Sequence, residues 1–461
     1  MWNLYLLLKI NIKDGRVLEV FPKDTVINMK IALSSYTGMG AWFALRLMAE
    51  GHMVDYYLSN PKYEDVLSGL IPKPKITQPD ERRHVLGYGF PNYRSYDLSI
   101  FDLTGKPRQA AASRLVVPTI GDGFFETNLE DDREYGIEAM EFCNITVPPY
   151  QRFATSSEAK AFIRKTDHRY VFKPFNTGAS HQDTASTYVS KSAEDLIKAL
   201  DHIWETSGKP PFVLQEYKDG DEMSVEGLFN GEDFYCLVGT IEEKKLLNDG
   251  KGPNTGCSGV LVFTLSKTSS IYQQTLARTI PLLRNAGFKG IIDINVILSD
   301  DKVYALEWGP RLGYLCCPVS TLMYGANYGE ALLDTVSGKI PKERWEEQYG
   351  ACVTVSIPPY PTEIRIPKAK GVPIEGLDAR SAEELCSFYL YDAKLKGEVL
   401  ETSGNYGFIG APMGSGPTID EAFAKVEQKL RKLHIPNMQY RTDIKKQTYE
   451  KHCRLSVGSW L

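Results

Sequence analysis

Apolar and polar positions change period several times along the chain, and these changes mark its elements. Met29 to Leu33 is a short apolar run of the buried-strand type. Ser34 to Gly40 reads as a loop, and Ala41 to Glu50 has helical spacing with Gly51 at the capping position beyond. Met53 to Leu58 reads as strand again, so the segment predicts a βαβ unit opening a doubly wound domain. Before it, Leu4 to Ile12 and Arg16 to Val20 predict a hairpin turning at Asp14-Gly15, with Met29 as an alternative start and residues 1–28 as an extension. Asp97 to Asp102 predicts a further strand ending in a loop, and residues 130–142 predict a helix.

After Pro148-Pro149 short elements alternate to about residue 345. Tyr170 to Lys173, Phe212 to Gln215, Ser224 to Phe229 and Phe234 to Thr240 predict strands. Ser192 to Trp204 and Ser270 to Ala286 predict helices. Ile291 to Leu298 and Val303 to Glu307 predict a hairpin over Ser299-Asp300-Asp301-Lys302. The pattern restarts at Cys352 to Ile357 and closes with an amphipathic helix, Ile419 to Leu433. No internal repeat is visible.

Composition narrows the picture. At 461 residues and 43% hydrophobic, the chain predicts several packed units and not a disordered one. A net charge of -5 offers no overall basic face for non-specific nucleic-acid binding. The opening run Met1 to Leu8 lacks a basic start and a cleavage site and is cut short by Lys9. No apolar stretch is long enough for a bilayer. The eight cysteines form no C-x-x-C pair, which fits reduced thiols in a cytoplasmic protein. Cys316-Cys317 read as small buried residues, and the seven histidines show no metal spacing.

Three segments carry candidate chemistry. Asp293 and Asn295 alternate onto one face of a strand, with Glu307 on the hairpin partner. Oxygen ligands facing each other across a hairpin suit Mg²⁺, which also takes nucleotide phosphates; a solvated edge hairpin is the plain alternative. Lys173 closes an apolar strand before Asn176-Thr177-Gly178-Ala179-Ser180, which can neutralise and wrap phosphates or be a snorkelling lysine beside a turn. Phe212 to Tyr217 runs a strand into a connecting segment suited to an adenine edge, and a carboxylate of the following Gly220-Asp221-Glu222 can hold ribose hydroxyls.

In order and spacing this series resembles the ATP-grasp family, and within it phosphoribosylamine–glycine ligase (GAR synthetase). Lys251-Gly252-Pro253-Asn254-Thr255-Gly256-Cys257-Ser258-Gly259 is similar to that family's GPNTGGMG run. Ser403 to Gly410, the following helix, and Met438 to Ile444 are similar to its closing domain and YRxDIG ending. The resemblance covers about residues 29–446. It implies an α/β fold: an N-terminal extension over 1–28, a Rossmann-like domain over 29–128, and an ATP-grasp core over 129–350 with a lid near 155–210. A C-terminal β-rich domain over 351–446 and a tail over 447–461 complete it.

The resemblance also implies roles. Arg133 and Lys173 would take phosphate positions beside the loop of Gly178 and Ser180. Gln215, Glu216 and Tyr217 would line adenine, and Glu222 the ribose. Asn295 and Glu307, twelve residues apart, would hold Mg²⁺ or Mn²⁺, with Asp293 in support. Arg311 would face the transferred phosphate or the carboxylate substrate, and Asn254, Thr255 and Gly256 would border the reacting acyl group. Gly38 and Gly40 would offer N–H groups to the acceptor.

Departures accompany these matches. The family's second metal-binding Asn is Gly309 here, its GSGGRE loop is Ser34 to Trp42, and its GPExPL loop is Asp102 to Arg108. Its RFGDPE stretch is Arg311-Leu312-Gly313-Tyr314-Leu315-Cys316. The expectation is an ATP-dependent, ADP-forming carboxylate–amine ligase working through an acyl-phosphate. It would join an amino acid such as glycine to an amine other than 5-phosphoribosylamine. The alternatives are phosphoribosylamine–glycine ligase of purine biosynthesis and a nucleotide-binding protein without catalysis. Its partners would be a small-molecule amino-acid carboxylate and an amine acceptor that can bear a base, with neither membrane nor nucleic acid expected, in a monomer or homodimer.

Overall fold

The computed structural model describes residues 11–13, 16–19, 29–73, 91–166, 168–175, 187–299, 302–361 and 369–461. Strands β1 (Asn11–Lys13) and β2 (Arg16–Glu19) pair antiparallel, as the expected hairpin does; its turn lies outside the described residues.

The βαβ unit forms as read: β3 (Lys30–Ser35), α1 (Ala41–Ala49) and β4 (Met53–Leu58). With β5 (Leu98–Phe101), α2 (Pro107–Arg114) and β6 (Thr119–Ile120), the strands make a parallel sheet in the order β4-β3-β5-β6. Ile31, Ala32 and Leu33 of the central strand have no exposed surface, as expected of a strand covered on both faces. Connections from β3 and β5 leave in opposite directions, so a crevice opens beyond their carboxyl ends. Helix α1 is buried on nearly every side, and the Trp42 indole N–H donates to the Leu385 carbonyl at 2.9 Å. Trp42 therefore belongs to the core and not to a ligand pocket.

The helix expected over 130–142 forms as α4 (Arg133–Phe142), and a further helix, α3 (Phe124–Asp131), ends just before it. Asp132 separates them by capping α4, accepting from the Glu134 and Tyr135 amides. A small unit follows: β7 (Tyr150–Phe153), α5 (Ser156–Thr166), β8 (Tyr170–Pro174), β9 (Tyr188–Val189), α6 (Ala193–Thr206) and β10 (Phe212–Glu216). Its antiparallel sheet, β7-β10-β8-β9, has its own core around Ile163, Phe172, Leu196, Leu200 and Phe212. Each such side chain contributes about 1.5–3 kcal/mol on burial.

The largest sheet begins with β11 (Asp221–Phe229), β12 (Phe234–Leu247) and β13 (Lys251–Thr264). Strand β12 runs past the expected Thr240 because the glycine-rich run pairs with it as β13. The expected helix over 270–286 divides at Thr275 into α7 (Ser270–Gln274) and α8 (Leu276–Asn285). Then come the expected hairpin, β14 (Gly290–Ser299) with β15 (Lys302–Gly309), and the helices α9 (Cys316–Tyr324) and α10 (Tyr328–Val336). The C-terminal part adds β16 (Tyr349–Val353), β17 (Val355–Ser356), α11 (Ala382–Cys386), β18 (Phe388–Leu390), the pair β19 (Lys394–Lys396) and β20 (Val399–Glu401), and β21 (Phe408–Gly416). Helices α12 (Ile419–Lys432) and α13 (Ile444–Val457) close the chain. The main order is β15-β14-β11-β12-β13-β16-β21-β17, with β18 also on β21, so one antiparallel sheet of nine strands crosses residue 350 without interruption.

The segment expected as a tail is helix α13, packed on β12 and β13. Its Arg454 guanidinium donates to both Asp221 carboxylate oxygens at 2.8 and 2.6 Å. All eight cysteines are free thiols, and Cys316 and Cys317 are buried. No helix among the described residues is long and apolar enough to cross a membrane.

Candidate active site

The hairpin β14–β15 fixes the acidic face. Asn295 pairs with Glu307, and Asp293 with Gly309, so alternation puts all four positions on one face. The Asn295 side-chain amide donates to Asp293 Oδ1 at 3.1 Å. A Cβ on Gly309 would lie 2.3 Å from Asp293 Oδ2 and 2.7 Å from Oδ1. The carboxylate of Asp293 thus fills the volume that a side chain at 309 would occupy.

Cations surround the Glu307 carboxylate. Arg133, at the start of α4, brings Nη1 within 4.0 Å of it. Lys173 reaches from β8 of the small sheet to donate to the Leu306 carbonyl of β15 at 3.2 Å. Partial desolvation in the cleft works against ionisation of Glu307, but Lys244, Arg133, Lys173 and Arg311 outweigh it and hold its carboxyl below the usual range. Burial, reinforced by Arg133, depresses Lys173 to about 8 against the pull of Glu307 and Glu222. Asp293 is driven well above the carboxylate range by burial and by Glu226, Glu242 and Glu130, with Arg311 opposing. Arg311 pairs with Glu130 at 3.2 Å.

Lys244 escaped the sequence reading. Despite burial, it is held as a firm cation by Glu222, Glu242 and Glu307, and its ammonium donates to Glu222. Its signal was the alternation Glu242, Lys244 in a run that reads only as a charged surface strand until β12 is seen to extend that far.

At the expected adenine segment Gln215 is buried, whereas Glu216 and Tyr217 are in part accessible. The Glu216 and Tyr217 amides already donate to the carbonyls of Pro149 and Arg169, at 2.7 and 2.9 Å. The Arg169 guanidinium lies 3.3 Å from the centre of the Tyr217 ring. Asn254 is exposed, Gly256 faces open space, and Thr255 turns inward to donate to the Lys244 carbonyl at 2.9 Å. Gly178 and Ser180 lie outside the described residues.

The loop after β3 departs from its expected role. The Gly38 amide donates to Ser35 Oγ at 2.9 Å, and the Gly40 amide to Asp102 Oδ2 at 2.7 Å. Both N–H groups are thus engaged within the chain.

Among the described residues no three His, Cys, Asp or Glu groups converge on a metal site. The available set is two carboxylates and one amide oxygen. These hard oxygen donors fit Mg²⁺, which completes its shell with phosphates and water.

Residues 131–317 match the family model described as phosphoribosylglycinamide synthetase, ATP-grasp (A) domain. In this stretch and along most of its length the chain resembles the ATP-grasp ligases, phosphoribosylamine–glycine ligase in particular. It is 25% identical to that enzyme of Clostridium acetobutylicum over 336 residues, covering 71% of this chain and 78% of the relative. The crystal structure of the Thermotoga maritima phosphoribosylamine–glycine ligase superposes with a TM-score of 0.68 at 20% identity, covering 90% of this chain and 99% of that chain. An L-amino acid ligase from Bacillus licheniformis superposes at 0.56 with 15% identity, covering 89% and 99%.

Proposed function

We propose that the ligase binds ATP with Mg²⁺, transfers the γ-phosphoryl group to the carboxylate of a small amino acid, and passes the resulting acyl group to an amine. In the first step a carboxylate oxygen bonds to phosphorus and ADP leaves. In the second the amine nitrogen bonds to the acyl carbon, inorganic phosphate leaves, and a proton goes to solvent. The observation that carries this reading is Glu307 ringed by Arg133, Lys173 and Lys244 and adjoined by Asp293 and Asn295. Such a cluster matches a metal-bound triphosphate in charge and donor chemistry. Arg133, Lys173 and Lys244 would neutralise the phosphates; Glu307, Asp293 and Asn295 would hold the metal, which screens charge on the transferring group. Arg311 would orient the carboxylate substrate, while Asn254 and Gly256 border the acyl group.

The names of the curated relatives favour 5-phosphoribosylamine with glycine as the substrate pair. One observation favours a different amine: the carboxylate of Asp102 already occupies the glycine loop. Lys173→Ala and Glu307→Ala should each abolish ADP formation while the thermal midpoint barely moves. Normal turnover in either variant would refute the assignment. Formation of glycinamide ribonucleotide by the purified ligase would decide for the first substrate pair.

A further inference from the structure

The crevice beyond β3 and β5 is lined by Ser35, Tyr36, Tyr57, Phe101, Asp102 and Lys106, among others. At its base, Asp102 Oδ2 accepts from Ser35 Oγ at 2.6 Å and from the Gly40 amide at 2.7 Å. Ser35 lies at the end of β3 and Asp102 just past β5, so this oxygen bridges the two strands where the crevice opens. Ser35 Oγ in turn accepts from the Gly38 amide at 2.9 Å. The loop's carbonyls are held as well: Tyr389 donates to that of Met39 at 2.9 Å and Tyr391 to that of Thr37 at 3.1 Å. Asp102 and Ser35 are nearly inaccessible to solvent. A Cβ on Gly40 would lie 2.7 Å from the Asp102 carboxylate, so the loop is fitted closely around it.

A glycine loop leading into a helix is a ready anion cradle, because its N–H groups point outward together. Here the anion belongs to the protein. We infer that Asp102 is a specificity residue: it fills the cradle and excludes acceptors that would bring a phosphate to it, leaving the crevice to an uncharged amine. The inference rests on the ligase reading and on its second choice of acceptor. A second anion at this point would meet a buried like charge and find the loop donors already used. Tyr36 offers accessible ring surface to such an acceptor, and Lys106 lies 5.0 Å from the centre of that ring.

Calorimetry with ribose and ribose 5-phosphate as a matched pair tests this on the full chain. The unaltered ligase should bind ribose 5-phosphate no better than ribose. Asp102→Gly should reverse the order, binding the phosphate form at least about tenfold tighter than the unaltered chain does. Asp102→Asn keeps a side-chain acceptor for Gly40 and Ser35 without the charge, and should gain part of that affinity should the glycine variant loosen the loop. Tight binding of ribose 5-phosphate over ribose by the unaltered ligase would overturn the inference. So would failure of both variants to bind it, since the opened loop would then be no anion cradle. Absence of ADP formation with every amine would instead defeat the ligase reading and leave this binding result standing.

Discussion

A lysine held at about 8 by burial and a neighbouring arginine is poised to change its proton count when a polyanion arrives. Lys173 is protonated below that value and neutral above it. Nucleotide phosphates favour the cation, so their binding raises the pKa. By linkage, affinity is flat well below pH 8 and falls as pH rises through it. ATP binding near pH 8 should therefore take up a fraction of a proton, measurable as heats that differ between buffers of different ionisation enthalpy. Lys173→Met should abolish the uptake; an unchanged uptake would assign the proton to another group. Lys173 was legible as a phosphate residue from its strand and loop. Its depressed pKa was not, because Arg133 lies forty residues away in sequence and meets it only through folding. Lys244 was hidden for a related reason: a charged strand residue reads as solvated until its three carboxylate neighbours are known.

At the scale of elements, the hairpin β14–β15 was read with nearly its observed boundaries, and α12 with both ends within a residue. Strong periodicity and local caps explain this: Thr418 accepts from the Glu421 amide at the start of α12. The break at Thr275 was missed because apolar spacing continues across it through Ile271, Tyr272, Leu276 and Ile280, and α3, before Asp132, was not read at all. The hairpin also corrects an expectation. Sequence alone suggests that Gly309→Asn would restore a lost metal ligand and lower the Mg²⁺ requirement. The register instead sets Asp293 opposite Gly309, with its carboxylate in the space the new side chain needs. Gly309→Asn alone should therefore raise the Mg²⁺ needed for half-saturation by nucleotide. Combining it with Asp293→Ala, which vacates that space, should bring the requirement back towards the original. A lower requirement in the single variant would show that Asp293 moves aside freely. The register depends on an irregularity between Asn295 and Val296, which no residue pattern announced.

For the whole molecule, the sequence suggested a nucleotide core followed by a separate β-rich closing domain. The sheet does not stop between them: β13 pairs with β16 over five residues, from Gly259↔Val353 to Phe263↔Tyr349. This pairing was illegible because it joins segments almost a hundred residues apart, and strand propensity carries no address for its partner. The consequence concerns dissection and recombination. A chain cut after Gln348 would retain the nucleotide residues yet leave β13 with one long row of backbone groups unpaired. A bare strand edge of that length recruits other chains. Such a fragment should form oligomers or precipitate in light scattering, whereas a soluble monomer would show that the edge is shielded in some other way. The closing segment is therefore not a cassette that can be exchanged between ligases to alter their acceptors: replacing it means rebuilding the margin of the sheet that carries Glu307.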